Sequence, residues 1–305
     1  PSISSDGRFV AFESTATNLI VSDTNGAVRD VFVHDRDSDG DGVFDEVGAI
    51  STVVISVSSG GVQGDNASSA PSISADGGSV AFESTATNLV ADDTNGLVKD
   101  IFVRDLDAGT TARVSVSFNG DPVDGASSAP SMSRDGRYVA FESLATNLAA
   151  GDTRGLQDIF IHDRDADGNA VFDETGDGKT ATIRVSVDSN GNEASGGEAS
   201  APSISADGRS AAFESTATNL VADDTNGLRD VFIHDRDADG NGVFDETGNI
   251  STTRVSVSSA GSQGDNSSSA PAVSLDGQHI AFASVAANLV ADDTNGVQDI
   301  FAHAP

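Results

Sequence analysis

The sequence predicts an all-β protein, a five-bladed β-propeller of four-stranded antiparallel blades. A segment that opens Pro-Ser-Ile-Ser and continues through an Asp-Gly pair returns five times, with variations, from residues 1, 71, 130, 202 and 271. The spacings of 70, 59, 72 and 69 residues suit four short strands with generous loops. No window of ten or more residues carries helical periodicity without a Gly-rich or Asp-rich interruption. The class is therefore all-β.

The first two strands of a unit are clearest in the fourth repeat. A short apolar stretch follows a proline at Pro202–Ser205, and an apolar run ends at Phe213. Between them lies Asp207-Gly208, a dipeptide typical of tight hairpin turns. This part of each unit is predicted to form two antiparallel strands.

The third and fourth strands follow a turn-rich segment, residues 217–227. The third is predicted at Asp230–His234, and the fourth at Thr253–Ser258, where apolar and small polar residues alternate. Blades that stack face to face would bury the third strands, so we expect one phenylalanine from each to lie between neighbouring blades. These are Phe32, Phe102, Phe160, Phe232 and Phe301.

The repeats leave room for one domain, residues 1–305. Its predicted blades span residues 1–70, 71–129, 130–201, 202–270 and 271–305. The fifth unit stops after its third strand, so the last blade is predicted to lack its outer strand. The third strand, Asp299–Ala302, would then expose unpaired backbone groups.

The repeat resembles that of TolB-type, WD-like β-propellers of bacteria. The second unit carries the likeness in Pro71, Asp76-Gly77, Val80-Ala81-Phe82, Asp100–Asp105 and Arg113-Val114-Ser115. The likeness covers essentially the whole chain and implies the fold. It leaves the function open, since such propellers serve as binding hubs, enzymes and structural modules.

Composition excludes several classes of function. Sixteen basic and 48 acidic residues give a net charge of −32, which repels nucleic acids and anionic membranes. No apolar stretch reaches the length of a membrane span. The absence of cysteine excludes thiol catalysis, thiolate metal sites and disulfides. The chain begins at Pro1, without a leader, as expected of a processed secreted protein or an excerpt.

Three units carry an enlarged hairpin between the third and fourth strands, with the spacing of a calcium loop. Its pattern is DxDxDG, then five further residues, then Glu. In this register the ligands are Asp35, Asp37, Asp39 and Glu46; Asp163, Asp165, Asp167 and Glu174; and Asp235, Asp237, Asp239 and Glu246. The loops resemble those of integrin-type propellers.

A second register, shifted by two residues, resembles the calcium loops of thrombospondin type 3 repeats. It adds Asp41, Asp45, Asn169, Asp173, Asn241 and Asp245 as second-rank ligands. We favour the first register because the second requires a glycine where the third unit has Ala170. The alternative is three solvated acidic turns without metal. Since carboxylates packed this densely repel one another, we expect about three Ca²⁺ sites, and oxygen ligands disfavour transition metals and the strictly octahedral Mg²⁺.

Other recurring polar residues have structural explanations. The Asp-Thr-Asn-Gly loops that begin at Asp23, Asp93, Asp224 and Asp293, with Asp-Thr-Arg-Gly at Asp152 in the third unit, are predicted to be turns. The histidines that end the third strands are predicted to form blade-to-blade hydrogen bonds: His34, His162, His234 and His303. A recurring glutamate, at Glu13, Glu83, Glu142 and Glu214, could form a cation site or pair with backbone amides.

The function predicted from these observations is that of a non-enzymatic, secreted, calcium-binding structural subunit. An edge strand completed by a neighbour would produce head-to-tail self-association into a fibre or surface layer. A partner-binding or adhesion module is the first alternative. A glycan-active enzyme is the second; without tryptophan and with one tyrosine, Tyr138, the chain lacks the aromatic platforms of a sugar site, so no small-molecule substrate is expected.

Overall fold

A computed structural model describes residues 1–117, 120–152 and 154–304. Strands in these residues, numbered in chain order, are β1 Ser2–Ile3, β2 Phe9–Ser14, β3 Asp30–Asp35, β4 Ser51–Val54, β5 Ser68–Ile73, β6 Ser79–Ser84, β7 Asp100–Asp105, β8 Thr110–Arg113, β9 Ser127–Met132, β10 Tyr138–Ser143, β11 Asp158–Asp163, β12 Ala181–Arg184, β13 Ala199–Ile204, β14 Ser210–Ser215, β15 Asp230–Asp235, β16 Ser251–Arg254, β17 Ser268–Val273, β18 Ile280–Ser284 and β19 Asp299–His303. The described part of the chain contains no helix, hence none able to cross a membrane.

The strands form five antiparallel sheets, numbered here first to fifth along the chain. The first four sheets are β1–β4, β5–β8, β9–β12 and β13–β16, each with its strands in sequence order. The fifth sheet, β17–β19, has three strands within the described residues. The all-β class and the four-stranded, propeller-like blade are therefore confirmed. Pro305, the last residue of the predicted fifth blade, lies outside the described residues.

A local hydrogen-bond motif explains the first hairpin of each sheet. In the fourth sheet the Ser205 hydroxyl donates to Asp207 Oδ1 at 2.6 Å, and the Arg209 amide donates to the same oxygen at 3.0 Å. Gly208 lies between them with a φ of 75°, a conformation that glycine adopts without strain. The aspartate thus organises the predicted Asp-Gly turn.

The second and third strands of a sheet supply its core. Their phenylalanines stack pairwise within one sheet, as Phe213 on Phe232 with ring centroids 6.0 Å apart. The pairs in the first and second sheets are Phe12 with Phe32 and Phe82 with Phe102. Burial of such large apolar side chains contributes about 1.5–3 kcal/mol each to stability.

The fourth strand is shorter and earlier than the sequence predicts. It is Ser251–Arg254 in the fourth sheet, not Thr253–Ser258. After Arg254 the chain keeps one bond to the neighbouring strand, from the Val255 amide to the Val231 carbonyl at 2.9 Å. The Val257 amide then donates to the Val255 carbonyl, within its own segment, at 2.9 Å. The alternation of the sequence continues past the point where the ladder ends.

The chain divides into two compact units. The first comprises Pro1–Val139, Ala145–Gly151 and His162–Thr182, and the second comprises Ala140–Leu144, Asp152–Ile161 and Ile183–Pro305. A core cluster of the first unit includes Val31, Ile55 and Phe82. A core cluster of the second includes Val231, Val255 and Phe282. Each cluster joins residues of two consecutive sheets.

The recurring glutamates pair with backbone amides of the following sheet, which confirms one of the two expectations for them. Glu13 Oε2 accepts the Ala70 amide at 2.8 Å, and Glu214 Oε2 accepts the Ala270 amide at 2.8 Å. Both alanines have a φ of 50°, unusual for a residue other than glycine. The carboxylate satisfies an amide that this backbone conformation turns away from its own strand.

Candidate metal centre

The three acidic hairpins share a frame made by an arginine and the aspartate nine residues after it. In the loop at residues 35–46, Arg36 Nε and Nη2 donate to Asp45 at 3.0 and 2.5 Å, and Nη1 donates to the Gly7 carbonyl at 2.9 Å. The guanidinium lies 5.0 Å from the centre of the Phe44 ring. The hydrogen bonds from Arg36 lower the pKa of the Asp45 carboxyl. Asp45, a second-rank predicted ligand, therefore has a structural partner.

The same frame recurs at Arg164 with Asp173 and at Arg236 with Asp245. Arg164 is fully buried and donates to Asp173 Oδ2 at 2.5 Å. Arg236 donates to Asp245 Oδ2 at 2.6 Å. These bidentate pairs fix the base of all three loops.

The first aspartate of each loop also has an arginine partner. Arg8 donates to both oxygens of Asp35, at 2.8 and 2.9 Å, and its hydrogen bonds lower the pKa of that carboxyl. The corresponding pairs, at 2.7 to 2.8 Å, are Arg137 with Asp163 and Arg209 with Asp235. The aspartate at position 1 of the favoured register is thus already paired with an arginine, which directly precedes the second strand of the sheet.

The carboxylates that converge in the first loop are Asp37, Asp39 and Asp41. One oxygen of each lies within 4.8 Å of the others. Asp37 is buried and accepts the amides of Asp41 and Gly42 at 3.1 and 3.0 Å, which curls the loop around it. Gly40 and Gly42 have φ values of 74° and 88°. The cluster begins at Asp37, where the second register also begins.

In the loop at residues 163–174 a lysine lies among the acidic side chains. Lys179 Nζ donates to Asp167 Oδ2 at 2.6 Å and to Glu174 Oε2 at 3.2 Å. Asn169 Nδ2 donates to the same two oxygens at 3.1 and 2.6 Å. The ammonium lowers the pKa of Asp167. This loop neutralises its central carboxylates with its own cation.

In the loop at residues 235–246, side-chain amides donate to the acidic side chains where the previous loop has a lysine. Asn241 Nδ2 donates to Asp239 Oδ2 at 3.0 Å and to Glu246 Oε2 at 2.6 Å, and Asn249 Nδ2 donates to Asp239 Oδ2 at 3.0 Å. The carbonyls of Ala49, Lys179 and Asn249 accept equivalent loop amides, which shows that the three residues occupy one position. In the first loop that position holds a methyl group, which can donate nothing. The Asp37 cluster could therefore hold a metal ion, with a donor set of carboxylate oxygens.

A second group of close carboxylates, Asp152, Asp158 and Glu193, lies beside the third sheet. Arg184 Nη1 is 3.5 Å from Asp152 Oδ1, 3.8 Å from Asp158 Oδ2 and 3.1 Å from Glu193 Oε1. Burial is the main cause that raises the pKa of Asp158, to about 6. This group has a guanidinium within it and serves as a charge network of the fold.

The arginine of this network belongs to a recurrent arrangement that the sequence analysis missed. Arg113 and Arg254 lie beside Asp93 and Asp224 at 3.4 and 3.3 Å, with their side chains buried. In the first sheet, where Val54 replaces the arginine, Gln63 Nε2 donates to Asn25 and Asp30 at 3.1 and 2.8 Å. The detectable signal was Arg-Val-Ser at the end of three of the fourth strands. In the second, third and fourth sheets these loops are therefore more than turns, because each contributes an aspartate to a buried ion pair.

The prediction that the histidines join neighbouring blades is wrong for those that the contacts describe. His234 Nδ1 lies 2.9 Å from Thr252 Oγ1, across one sheet. The threonine makes the contact between sheets, because its hydroxyl donates to the Val187 carbonyl at 2.5 Å. Its single hydrogen is then used, so the histidine nitrogen is the donor. His34 and His162 make the same bond to Thr52 and Thr182.

No family model matches the sequence, and no curated protein matches it. Among solved structures, TolB from Acinetobacter baumannii is similar at 17% identity and a TM-score of 0.44, with 95% of this chain and 51% of that chain covered. A putative TolB from Agrobacterium tumefaciens is similar at 18% identity and 0.42, covering 83% and 64%. An oligogalacturonate lyase solved with manganese is similar at 13% identity and 0.49, covering 99% and 64%. The chain spans about half to two thirds of the length of these proteins.

Proposed function

We propose that this chain is a non-enzymatic, extracellular, calcium-stabilised structural module that associates head to tail with neighbouring subunits. The observation that carries the calcium part is the loop at residues 35–46. Three carboxylates converge there, and Ala49 stands where the other two loops place a lysine or an asparagine. An external cation would supply the charge that Lys179 supplies in its own loop.

Calcium suits this donor set better than other ions do. Asp37, Asp39 and Asp41 would hold it through carboxylate oxygens, and Ca²⁺ accepts six to eight oxygens in flexible geometry. Asp37 is already fixed by two backbone amides. The bound ion would remove the repulsion among the three carboxylates and so stabilise the hairpin.

The structural role is supported by how the acidic side chains are used. The glutamates of the second strands receive backbone amides, and the aspartates beside Arg113, Arg184 and Arg254 form buried ion pairs. These arrangements recur from sheet to sheet, whereas an active site occurs once. A partner-binding or adhesion module of a larger secreted protein is the alternative.

Electron microscopy of the purified protein, at matched concentration with millimolar calcium and with a chelator, tests the proposal. Filaments or rings that loosen in the chelator are the expected result. Calorimetric titration of calcium, in the wild type and in Asp39→Asn/Asp41→Asn, reports the ion separately. Discrete particles in both solutions would overturn self-association and favour the binding module, and absence of calcium uptake would overturn the stabilising ion.

A further inference from the structure

The turn that follows β12 in the third sheet carries an Asn-Gly pair, Asn190-Gly191, and both residues are exposed. An asparagine before a glycine is prone to lose its side-chain amide, because glycine has no Cβ to keep its backbone nitrogen away from the preceding side-chain carbonyl. The chain contains seven such pairs, which are Asn25-Gly26, Asn95-Gly96, Asn119-Gly120, Asn190-Gly191, Asn226-Gly227, Asn241-Gly242 and Asn295-Gly296. Asn119 lies outside the described residues, so the comparison concerns the other six.

Hydrogen bonds hold the asparagine side chain in the Asp-Thr-Asn-Gly loops. In the fourth sheet Asn226 Nδ2 donates to Asp230 Oδ2 and to the Gly264 carbonyl, both at 3.1 Å, and Asn226 Oδ1 accepts the Leu228 amide at 2.9 Å. Such a side chain must break these bonds before its carbonyl carbon can turn toward the next nitrogen. The asparagines held by their Nδ2 at the same position of other sheets are Asn25, Asn95 and Asn295.

Exposure alone does not release an asparagine from its partners. Asn241, in the acidic hairpin of the fourth sheet, is exposed, yet its Nδ2 donates to Asp239 Oδ2 at 3.0 Å and to Glu246 Oε2 at 2.6 Å. Its Oδ1 accepts the Val243 amide at 2.7 Å. Both ends of this side-chain amide are therefore fixed.

Asn190 differs from these five asparagines in its side chain. Its backbone amide donates to Asp188 Oδ1 at 2.8 Å, but within the described part of the chain its side-chain amide makes no hydrogen bond of the length found at the other five. The side chain lies near the Asp188 carboxyl, which accepts the Asn192 backbone amide at 2.9 Å and Asn192 Nδ2 at 2.8 Å. The Asn190 side chain can therefore rotate at little cost.

The glycine nitrogen is also less restrained in this turn. The Gly191 amide donates to the backbone carbonyl of Asp188 at 2.9 Å, which is a neutral acceptor. The Gly242 amide instead donates to the Asp237 carboxylate at 3.0 Å. Loss of the amide proton leaves negative charge on the nitrogen, and a carboxylate beside it disfavours that charge. Both reacting groups are thus most accessible at Asn190-Gly191.

We propose that Asn190 is a site of spontaneous deamidation and isomerisation in the folded protein, with water as the co-reactant. The Gly191 nitrogen loses its proton to water and attacks Asn190 Cγ. The new N–Cγ bond forms, the Cγ–Nδ2 bond breaks, and Nδ2 takes a proton from water and leaves as ammonia. Water then opens the cyclic imide, at Cγ to give aspartate or at the α-carbonyl to give isoaspartate. Water is consumed and ammonia released, with no oxidation or reduction.

The modification has a structural consequence that does not depend on the proposed function. Either product adds a negative charge to the turn, and isoaspartate also lengthens the backbone by a methylene group. The turn is short, because the Asp188 amide donates to the Asn192 carbonyl at 2.9 Å and Val187 pairs with Glu193. Glu193 Oε1 lies 3.1 Å from Arg184 Nη1. Isoaspartate is therefore expected to disturb this pairing and to destabilise the third sheet.

The test incubates the full chain at mildly alkaline pH and follows it by brief tryptic digestion and mass spectrometry. Residues 185–209 and 210–229 form separate tryptic peptides, so Asn190 and Asn226 are compared in one sample. Conversion of amide to acid is expected at least about tenfold faster at Asn190, because Asn226 must first break its hydrogen bonds. Fragment spectra distinguish Asn190 from Asn192, and isoaspartate from aspartate. Equal rates, or a faster reaction at Asn226, would overturn the proposal.

Incubation in guanidinium chloride shows whether the fold is the cause of the selectivity. In the unfolded chain the two asparagines are expected to react at similar rates, since each precedes a glycine. An equally large preference for Asn190 in the unfolded chain would assign the selectivity to local sequence and would overturn the structural inference.

Asn190→Ala is the matched variant, because the fourth sheet has Ala260 at this position of an equivalent turn. In that turn the Gly261 amide donates to the Ser258 carbonyl at 2.8 Å, as Gly191 does to Asp188. After incubation the melting temperature of the wild type is expected to fall below that of the variant treated in the same way. Equal melting temperatures at full conversion would overturn the inferred effect on the third sheet.

Discussion

The first and third sheets share one backbone plan and balance their negative charges in different ways. In the first sheet no described lysine or arginine forms an ion pair with the cluster of Asp37, Asp39 and Asp41, and the neutral amide of Gln63 fills its Asp-Thr-Asn-Gly loop. The third sheet uses Lys179 in its acidic hairpin and Arg184 beside Asp152. A repeat can therefore exchange a tethered cation for a neutral amide, or do without a tethered cation, without a change of fold.

Exposure also differs between the two. Arg36 and Asp45 are 30% and 56% exposed, whereas Arg164 is 1% and Asp173 18% exposed. The same bidentate pair is thus partly solvated in the acidic hairpin of the first sheet and largely desolvated in the acidic hairpin of the third sheet. Removing one partner of a desolvated pair leaves the other charge uncompensated, so equivalent substitutions should have unequal effects.

The largest expected effect comes from Arg164→Ala. Loss of this buried guanidinium removes the partner of Asp173 and a donor to the Gly136 carbonyl at 2.7 Å. We expect the free energy of unfolding to fall by about 3–5 kcal/mol, measured by urea denaturation. Arg36→Ala, the matched substitution in the first loop, should cost clearly less. Equal losses in the two variants would contradict the role assigned to burial.

The pH dependence of the third sheet should be set in part by Asp158. Its folded pKa, about 6, lies above that of an unfolded aspartate, so the folded state binds the proton more tightly. The contribution of this group to stability is therefore greatest below pH 4, declines as the pH rises to 6, and is flat above it. The difference is about 3 kcal/mol.

The Asp158→Asn variant should lose this part of the dependence in denaturation measurements at pH 4, 5, 6 and 7. Asp207→Asn, in an exposed hairpin turn, controls for general effects of removing a carboxylate. An unchanged slope in Asp158→Asn would assign the pH dependence to other groups.

Calcium should stabilise the protein mainly through the first loop. At a calcium concentration about 100 times the dissociation constant, one site adds about 2.7 kcal/mol to the free energy of unfolding. The increase should disappear in Asp39→Asn/Asp41→Asn, as measured by thermal denaturation with and without calcium. Asp167→Asn in the third sheet's hairpin is the control and should retain it. A full calcium response in the double variant would place the ion elsewhere.

Exchanging the residue at the position of Ala49 and Lys179 should give each loop the calcium response of the other. We expect this effect to be smaller than those above. Lys179→Ala gives the third sheet's hairpin the residue of the first and should create a calcium response there. Ala49→Lys places an ammonium beside Asp39 and should reduce the response of the first loop. Isothermal titration of both variants against the wild type measures the change in the number of bound ions. An unaltered stoichiometry in both would show that Lys179 does not substitute for a bound cation.

Much of the fold could be predicted because it depends on local chemistry repeated five times. The Asp-Gly turns, the alternating apolar residues and the phenylalanines of paired strands are all legible along the chain. The end of the fourth strand could not be predicted in this way, because the alternation of apolar and polar residues does not reveal where the backbone hydrogen bonds of an edge strand end. The histidine contacts were misjudged for a related reason, since sequence position does not distinguish a partner in the same sheet from one in the next.

The order of residues along the chain was enough to establish the all-β class, the number of sheets and the crowding of carboxylates in three hairpins, because these features depend on near neighbours. Which carboxylates stay close to one another after folding could be learned only from the three-dimensional arrangement. Arg8 lies 27 residues from Asp35, and Arg184 lies 26 residues from Asp158, yet their charges select which acidic groups form ion pairs. Electrostatic energy depends on distance in space and on burial, neither of which can be read from spacing along the chain.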